Sequence, residues 1–344
     1  MTEKMRAMVL SKLGPIETKP LKLTMIDRHQ ISKPNEMLIK IEACGVCHSQ
    51  LHAIEGDWQK YGIPPSLPTV PGHEVVGKVI EVGKGVRHFK IGDRAGISPL
   101  HGSCMQCQYC KDGKEQLCDS ADITGESLLG GYAEYITVSE DFATLVPSNI
   151  GPEFAAPLFC AGLTAYKAVK ASEPAKKKSV GIFGVGGVGH MAIQFAKLEG
   201  SRVIGISRSE NHLNVARNLG ASTIQYDSDP QKFLTRLKSQ EGLLDSAIVF
   251  APSDSVTGTA IKAVKKGGTV VIGVFGNIPN FMAADEKTVR GTLIGSMSDM
   301  REVVRIAKEN TLKVISKSFP LEQANEVLLK LKQSEIEARA VLVP

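Results

Sequence analysis

No apolar run in this sequence approaches the roughly 18 residues that a membrane-spanning helix requires. The opening Met-Thr-Glu-Lys-Met-Arg has no apolar core of an export signal. The expectation is a cytoplasmic protein with no membrane partner. A large charge excess is missing too, since 41 Lys and Arg against 36 Asp and Glu leave a formal +5. Apart from a triplet at 176–178 the cations are scattered, so no basic face for nucleic acid is expected. The profile of a disordered chain is equally absent: 42% of residues are apolar and 22% charged. At roughly 150 residues per domain, the 344 residues suggest two domains, each able to bury a core.

The seven cysteines do not read as a disulfide framework, because the count is odd and no export signal precedes them. Four of them, Cys104, Cys107, Cys110 and Cys118, form a Cys-x2-Cys-x2-Cys-x7-Cys run in a polar stretch. Pairs two residues apart let a short turn offer two sulfurs to one zinc ion, and four thiolates leave no open position. Such a closed site would organise the stretch in place of an apolar core. An iron–sulfur cluster is the competing reading. The final gap and the lack of a Cys-Pro terminus fit it less well.

A second ligand set is spread over three segments. Cys47 and His48 follow a β-like run at 38–44, Gly72-His73-Glu74 precedes an apolar run, and Cys160 lies in Pro-Leu-Phe-Cys-Ala-Gly. Each alone reads as ordinary packing or a turn. Together, two thiolates and one imidazole form the set that leaves a fourth position for water or substrate. Cys44-Gly-Val-Cys47 also matches a redox Cys-x-x-Cys, but no thioredoxin-like βαβ pattern surrounds it.

From Ser179 the chain reads as a short strand, then Gly-x-Gly-x-x-Gly at 184–189, then a helix over 190–199. Strand before and helix after is the context that makes this motif informative. Gly184 would allow the tight turn, Gly186 the approach of a pyrophosphate, and Gly189 close helix packing. Strands at 202–206, 223–225, 246–249 and 269–273 alternate with helices at 211–219, 231–240 and 255–264, and 293–295 can complete the sheet. That alternation predicts a doubly wound parallel sheet. The second strand ends in Ser207-Arg208-Ser209, where NAD readers usually place an acid on the ribose. A cation and hydroxyls without a carboxylate favour NADP(H). The alternative is a solvated Arg208 and an enzyme that accepts either cofactor.

These segments occur in the order found in the zinc-dependent medium-chain alcohol dehydrogenases, and the chain resembles that family over nearly its whole length. Gly56-Asp57-Trp58 and Gly92-Asp-Arg-Ala-Gly96 are similar to the yeast-type enzymes, while Gly130-Gly-Tyr-Ala-Glu-Tyr135 and Ser207-Arg208-Ser209 are similar to the cinnamyl-alcohol-dehydrogenase-like branch. The resemblance implies an α/β protein with a GroES-like, mostly β catalytic domain over 1–150, carrying a structural-zinc lobe at about 98–124. A Rossmann domain would follow over 151–295, and a segment over 296–344 would return to the catalytic domain, with the active site at the join. It implies a catalytic zinc on Cys47, His73 and Cys160, with Glu74 as a nearby fourth carboxylate, and a second zinc on the four clustered cysteines. Ser49 and His52 would relay the proton. His48 and Arg339 would face the pyrophosphate, Thr164 the nicotinamide, and Gly184, Gly186, Gly187, Val188 and Gly189 the dinucleotide loop. Partners implied are a small alcohol or aldehyde and a second or further copies of the chain, as homodimer or homotetramer.

Two departures stand out. The family usually carries Asp after Cys-His-Ser, supporting the zinc-binding histidine, and here the residue is Gln50. An amide oxygen can accept the imidazole N–H but brings no charge, which weakens the ligand. Where yeast-type enzymes carry a second pocket tryptophan, this chain has Pro99 and Leu100, so a wider pocket for longer or aromatic substrates is expected. The expected function is reversible hydride transfer between an alcohol or aldehyde and NADP(H). The alternatives are an NAD-dependent alcohol, polyol or formaldehyde dehydrogenase or, from another class, a zinc-ribbon nucleic-acid-binding protein. In the four-cysteine stretch, Lys111 and Lys114 are offset by Asp112 and Glu115, which disfavours binding to a phosphate backbone.

Overall fold

An alternating run, Lys4–Leu10 (β1), pairs antiparallel with Leu21–Asp27 (β2) and opens the first of two units, 1–160 with Gly295–Pro344, and Ala161–Ile294. The structure, a computed structural model, describes residues 3–279, 281–309 and 312–344. The spine of the first unit is Glu36–Val46 (β3), buried without a break over Met37, Leu38 and Ile39, alternating from Ile39 to Ala43, and buried on both faces again from Ala43 to Val46. Helix α1 (His48–Glu55) follows it directly. Glu74–Val82 (β4) and Arg94–Ile97 (β5) extend the antiparallel ladder. Leu100–Gly102 (β6) and Asp122–Ile123 (β7) form a small hairpin, and the short helix α2 (Gln108–Lys111) lies in the segment between them. Tyr135–Ser139 (β8) adds to β3 and Ala143–Leu145 (β9) to β5, and one turn, α3 (Pro152–Ala155), leads toward Cys160.

The second unit begins with helix α4 (Ala161–Ala171). Ser179–Phe183 (β10) is buried at every position, as a strand covered on both faces must be. Helix α5 (Gly189–Leu198), Arg202–Ser207 (β11), α6 (Glu210–Asn218), Ser222–Gln225 (β12), α7 (Pro230–Gln240), Leu244–Val249 (β13), α8 (Asp254–Ala263), Val264–Ile272 (β14) and Thr288–Gly291 (β15) follow. All six strands are parallel, in the order β12-β11-β10-β13-β14-β15. This is the Rossmann order, with its switch point between β10 and β13. Phe183 and Phe233, both fully buried, meet edge-on at 5.8 Å in its core.

Two expectations need correction here. Residues 293–295 do not complete the sheet; β15 does, with Thr288 opposite Thr269. An edge strand needs backbone pairing on one side only, so the polar Thr-Val-Arg-Gly run carries no apolar signal, whereas the apolar Leu293 is exposed. Val264, read as the end of a helix, is the first residue of β14, paired with Leu244.

The chain then returns to the first unit. Ser296 and Asp299 cap helix α9 (Met297–Lys308) reciprocally, two orphan donors satisfied at once. Ser316–Pro320 (β16), α10 (Ala324–Lys332) and Arg339–Val343 (β17) complete it. β17 lies antiparallel to β3, with Leu342 opposite Cys44. Lys332 Nζ donates to Glu55 at 2.8 Å and to Glu17 at 3.1 Å, tying α10 to the end of α1. No described helix is long and apolar enough to cross a membrane.

His101 on β6 places Nδ1 3.2 Å from Thr124 Oγ1. Burial holds its pKa down to about 4, with Asp122 and Glu36 pulling it up and His29 pushing it down. The folded chain thus keeps neutral a ring that the unfolded chain protonates below its ordinary 6.5. This part of the stability is complete above that value and is lost as pH falls toward 4. Chemical denaturation at pH 7 and pH 4.5 should show the parent losing at most about 3 kcal/mol more than a His101→Asn variant. Equal losses would remove His101 from the pH response.

Candidate metal centre and active site

Three distant segments converge at the end of β3. Cys47 caps the N-terminus of α1, His73 immediately precedes β4, and Cys160 ends the single turn 156–159. One ligand atom from each of Cys47, His73, Glu74 and Cys160 lies within 4.8 Å of the others, and all four residues are buried. Cys47 and Cys160 Sγ stand 3.8 Å apart. Two sulfurs bound about 2.3 Å from one tetrahedral ion would be roughly 3.8 Å apart, so the cluster is already spaced for a single metal. Phe159 beside Cys160 is fully buried against Gly96, where a Cβ would lie 1.9 Å from its ring. Gly45, opposite Glu74 in the β3–β4 ladder, makes room for the carboxylate in the same way: a Cβ there would lie 1.8 Å from Glu74 Oε2.

The electrostatics match a site built for a cation. A hydrogen bond from Cys160 and the nearby His73 hold the Cys47 thiol well below its ordinary range, while the same sulfur contact and burial push Cys160 up. Burial opposes protonation of His73, but contact with Cys47 outweighs it and raises the ring. Burial lifts Glu74 to about 7 against the pull of Arg339. Glu74 Oε2 accepts from the Arg339 guanidinium, whereas Glu74 Oε1 is buried with no hydrogen-bond partner among the described residues. A buried carboxylate oxygen without a partner is costly, and a cation would satisfy it. Two soft sulfurs, one imidazole and a carboxylate oxygen suit zinc.

The second cluster is a loop excursion from the β6–β7 hairpin. Cys104, Cys107, Cys110 and Cys118 present sulfurs within 4.8 Å of one another, with 3.5 Å between Cys107 and Cys110 and 3.9 Å between Cys104 and Cys110. Backbone N–H groups of Gln106 and Cys107 lower Cys104 to about 6, toward the thiolate a metal requires. The spacing again fits one ion better than a multi-iron cluster.

In the second unit, Gly184 takes φ +102, and a Cβ on it would press on Ala251 N at 3.0 Å. A Cβ on Gly189 would strike Gly184 O at 2.0 Å, whereas one on Gly186 meets nothing within 4 Å. The outer two glycines build the turn, and the middle one leaves a backbone cradle open at the start of α5, beside the switch point. Gly187 and Val188 complete the loop before α5. That is an anion-binding arrangement suited to a dinucleotide pyrophosphate.

Comparison with known proteins agrees with this chemistry. Residues 33–148 match the alcohol dehydrogenase GroES-like domain and residues 187–309 the zinc-binding dehydrogenase domain. An alcohol dehydrogenase of Geobacillus stearothermophilus is 37% identical over 337 residues, covering 94% of this chain and 96% of that protein. The chain is a medium-chain, zinc-type alcohol dehydrogenase. Among solved structures, acetophenone reductase from Geotrichum candidum in complex with NAD superposes with a TM-score of 0.87 at 27% identity, covering 100% of this chain and 98% of that one. CAD from Helicobacter pylori, complexed with NADP(H), gives 0.86 at 26% identity, covering 100% of this chain and 99% of that one.

The other expected residues of this dehydrogenase fall as follows. Ser49 Oγ donates to Cys47 Sγ at 3.0 Å and lies 3.2 Å from His73 Nε2, inside the metal cluster. His52, one turn along α1, pairs its Nδ1 with Asp57 Oδ2 at 2.7 Å and stacks near Trp58 at 5.9 Å. His48 is exposed at the start of α1, and Thr164 is half-buried in α4. Arg339, expected to face a phosphate, is buried against Glu74. Ser207 is buried at the end of β11 and accepts from Ser209 N, while Arg208 is exposed. The orientation expected of Gln50 is reversed. Its Nε2, not its oxygen, lies 2.8 Å from His73 Nδ1, because Oε1 accepts from Gly72 N at 2.6 Å. Two residues had escaped the sequence reading. Asp57 and Gly45 lay in plain motifs without a signal for their partners.

The three glycines make separable predictions. Gly189→Ala should destabilise the enzyme by about 1–3 kcal/mol, the usual cost of overpacking, seen as a lower melting temperature. Gly186→Ala should melt like the parent yet bind coenzyme more weakly in a nucleotide-fluorescence titration. Unchanged coenzyme affinity in Gly186→Ala would take the pyrophosphate away from this loop.

Proposed function

We propose that this enzyme interconverts alcohols and aldehydes with NADP(H) in preference to NAD(H), holding one zinc on Cys47, His73 and Cys160, with Glu74 in reach, and a second on Cys104, Cys107, Cys110 and Cys118. The observation that carries the reading is the buried four-ligand cluster at the end of β3, whose atoms converge within 4.8 Å. Zinc bound there supplies Lewis acidity that favours loss of an alcohol's hydroxyl proton and polarises an aldehyde carbonyl. A bound nicotinamide would supply the hydride acceptor or donor.

The chain's own groups do the rest. With zinc bound, Cys47 and Cys160 would bring thiolate charge and His73 a neutral nitrogen. The buried Arg339 keeps Glu74 paired and close to the cluster. Ser49 Oγ, already within hydrogen-bond distance of two ligands, is the group placed to take the substrate's hydroxyl proton. His52 lies three residues further on the same helix, a spacing that puts side chains side by side. Since Asp57 occupies its Nδ1, Nε2 is the atom left to pass the proton on, and the carboxylate steadies the ring when it is charged. In the reductive direction the same atoms return a proton to the product oxygen. Thr164 near the nicotinamide belongs to the same reading.

Ser207 and the exposed Arg208 support the preference for NADP(H). A carboxylate in place of Ser207 would repel a 2′-phosphate by roughly 1–3 kcal/mol at partly solvated separations. Pro99 and Leu100, with Trp58 the chain's one tryptophan, support a pocket that admits longer and aromatic aldehydes.

A coenzyme-linked screen of aliphatic and aromatic aldehydes with NADPH and NADH, run beside zinc analysis, tests the reading. Cys47→Ser should retain one zinc per chain and lose turnover, and full activity in it would refute a catalytic metal at this cluster. Ser207→Asp should move the NADPH-to-NADH ratio of kcat/KM toward NADH by about ten- to a hundredfold. An unmoved ratio would refute the phosphate site at the end of β11.

A further inference from the structure

Strand β11 runs into Ser207-Arg208-Ser209, and the next residue, the first of α6, is an acid, Glu210. A free carboxylate at that point works against a 2′-phosphate in two ways. It repels the phosphate, and it competes for Arg208, the cation two residues away. The structure sends the carboxylate elsewhere. Glu210 Oε1 accepts from Arg217 Nη1 at 2.6 Å. Arg208 is exposed and forms no ion pair among the described residues.

The reach of the Glu210–Arg217 contact is the informative part. Seven residues of helix rise about 10.5 Å, and helical side chains lean toward the N-terminus. For a first-turn glutamate to meet a guanidinium two turns on, its carboxylate must run down the helix, away from Ser209. Arg217 is held in place for that contact. Its Nη1 also donates to Asn214 Oδ1 at 2.6 Å, and its Nε donates to Thr223 Oγ1 at 3.0 Å. Thr223 lies on β12, the strand beside β11, so the guanidinium is anchored to helix and sheet together. Just beyond β12, Asp227 is likewise engaged, by Arg236 Nη2 at 3.5 Å.

The geometry points to Arg217 as a positioning residue for coenzyme choice. By drawing the Glu210 carboxylate along α6, it leaves Arg208 and the hydroxyls of Ser207 and Ser209 to the 2′-phosphate of NADP(H). Arg217 acts through Glu210 and does not itself meet the coenzyme.

This inference rests on the 2′-phosphate site proposed at the end of β11, and coenzyme titrations separate the two. Kd values for NADPH and NADH are read from nucleotide fluorescence at low salt, where exposed charges are least screened. Arg217→Met frees the acid, so its Kd for NADPH should rise about three- to tenfold, the size of one solvated charge acting on a nearby phosphate. Its Kd for NADH, which carries no 2′-phosphate, should stay at the parent value. Glu210→Gln should bind NADPH at least as tightly as the parent, and combining it with Arg217→Met should restore the parent Kd. Thr223→Val, which removes one anchor of the guanidinium, should move NADPH in the same direction by a smaller factor. An unmoved NADPH-to-NADH ratio in Arg217→Met, or no recovery in the double variant, overturns the coupling; if Ser207→Asp still shifts the ratio toward NADH, the phosphate site stands. A ratio that neither Arg217→Met nor Ser207→Asp moves overturns both.

Discussion

The structure depends on one convergence: two sulfurs and an imidazole from segments up to 113 residues apart, between Cys47 and Cys160, directed at a common point inside a β domain. Such a cluster is expensive for the fold. It buries thiols, a carboxylate and a guanidinium where isolated charge costs several kcal/mol per group. The architecture around it offsets that cost. β17 brings Arg339 to Glu74, Gly45 opens space for the carboxylate, and α1 begins at Cys47, so that a helix N-terminus faces a thiol inclined to ionise. These devices place ligand-bearing groups before any ion arrives, which is how a site on a rigid scaffold keeps its geometry through turnover.

The two cysteine clusters divide the labour by what surrounds them. The lobe at 104–118 has little apolar packing of its own, and four thiolates closed on one ion would substitute for a core. The inner cluster sits in a dense one and can leave a coordination position for chemistry.

Much of this was legible in residue spacing. The Cys-x2-Cys-x2-Cys-x7-Cys run, Gly184 with Gly186 and Gly189, and the alternation from Ser179 onward each carry a local signal, and the lobe, the loop and the parallel sheet follow from them. What stayed hidden is non-local. Edge strand β15 shows no apolar period because it needs none. Nothing in the periodicity of 296–344 announces that Arg339 will lie beside Glu74. The polarity of Gln50 was misread because its orientation is decided by Gly72 N, a backbone group that no side-chain pattern reports.

Diffraction recorded on both sides of the zinc absorption edge, from crystals of the protein as purified, tests the central claim most directly. The account predicts two anomalous peaks per chain. One should be within about 2.3 Å of Cys47 and Cys160 Sγ and about 2.1 Å of a His73 nitrogen, and the other should be central to the four sulfurs of the lobe. A peak in the lobe alone, or a Cys47–Cys160 disulfide in place of the inner metal, would contradict it.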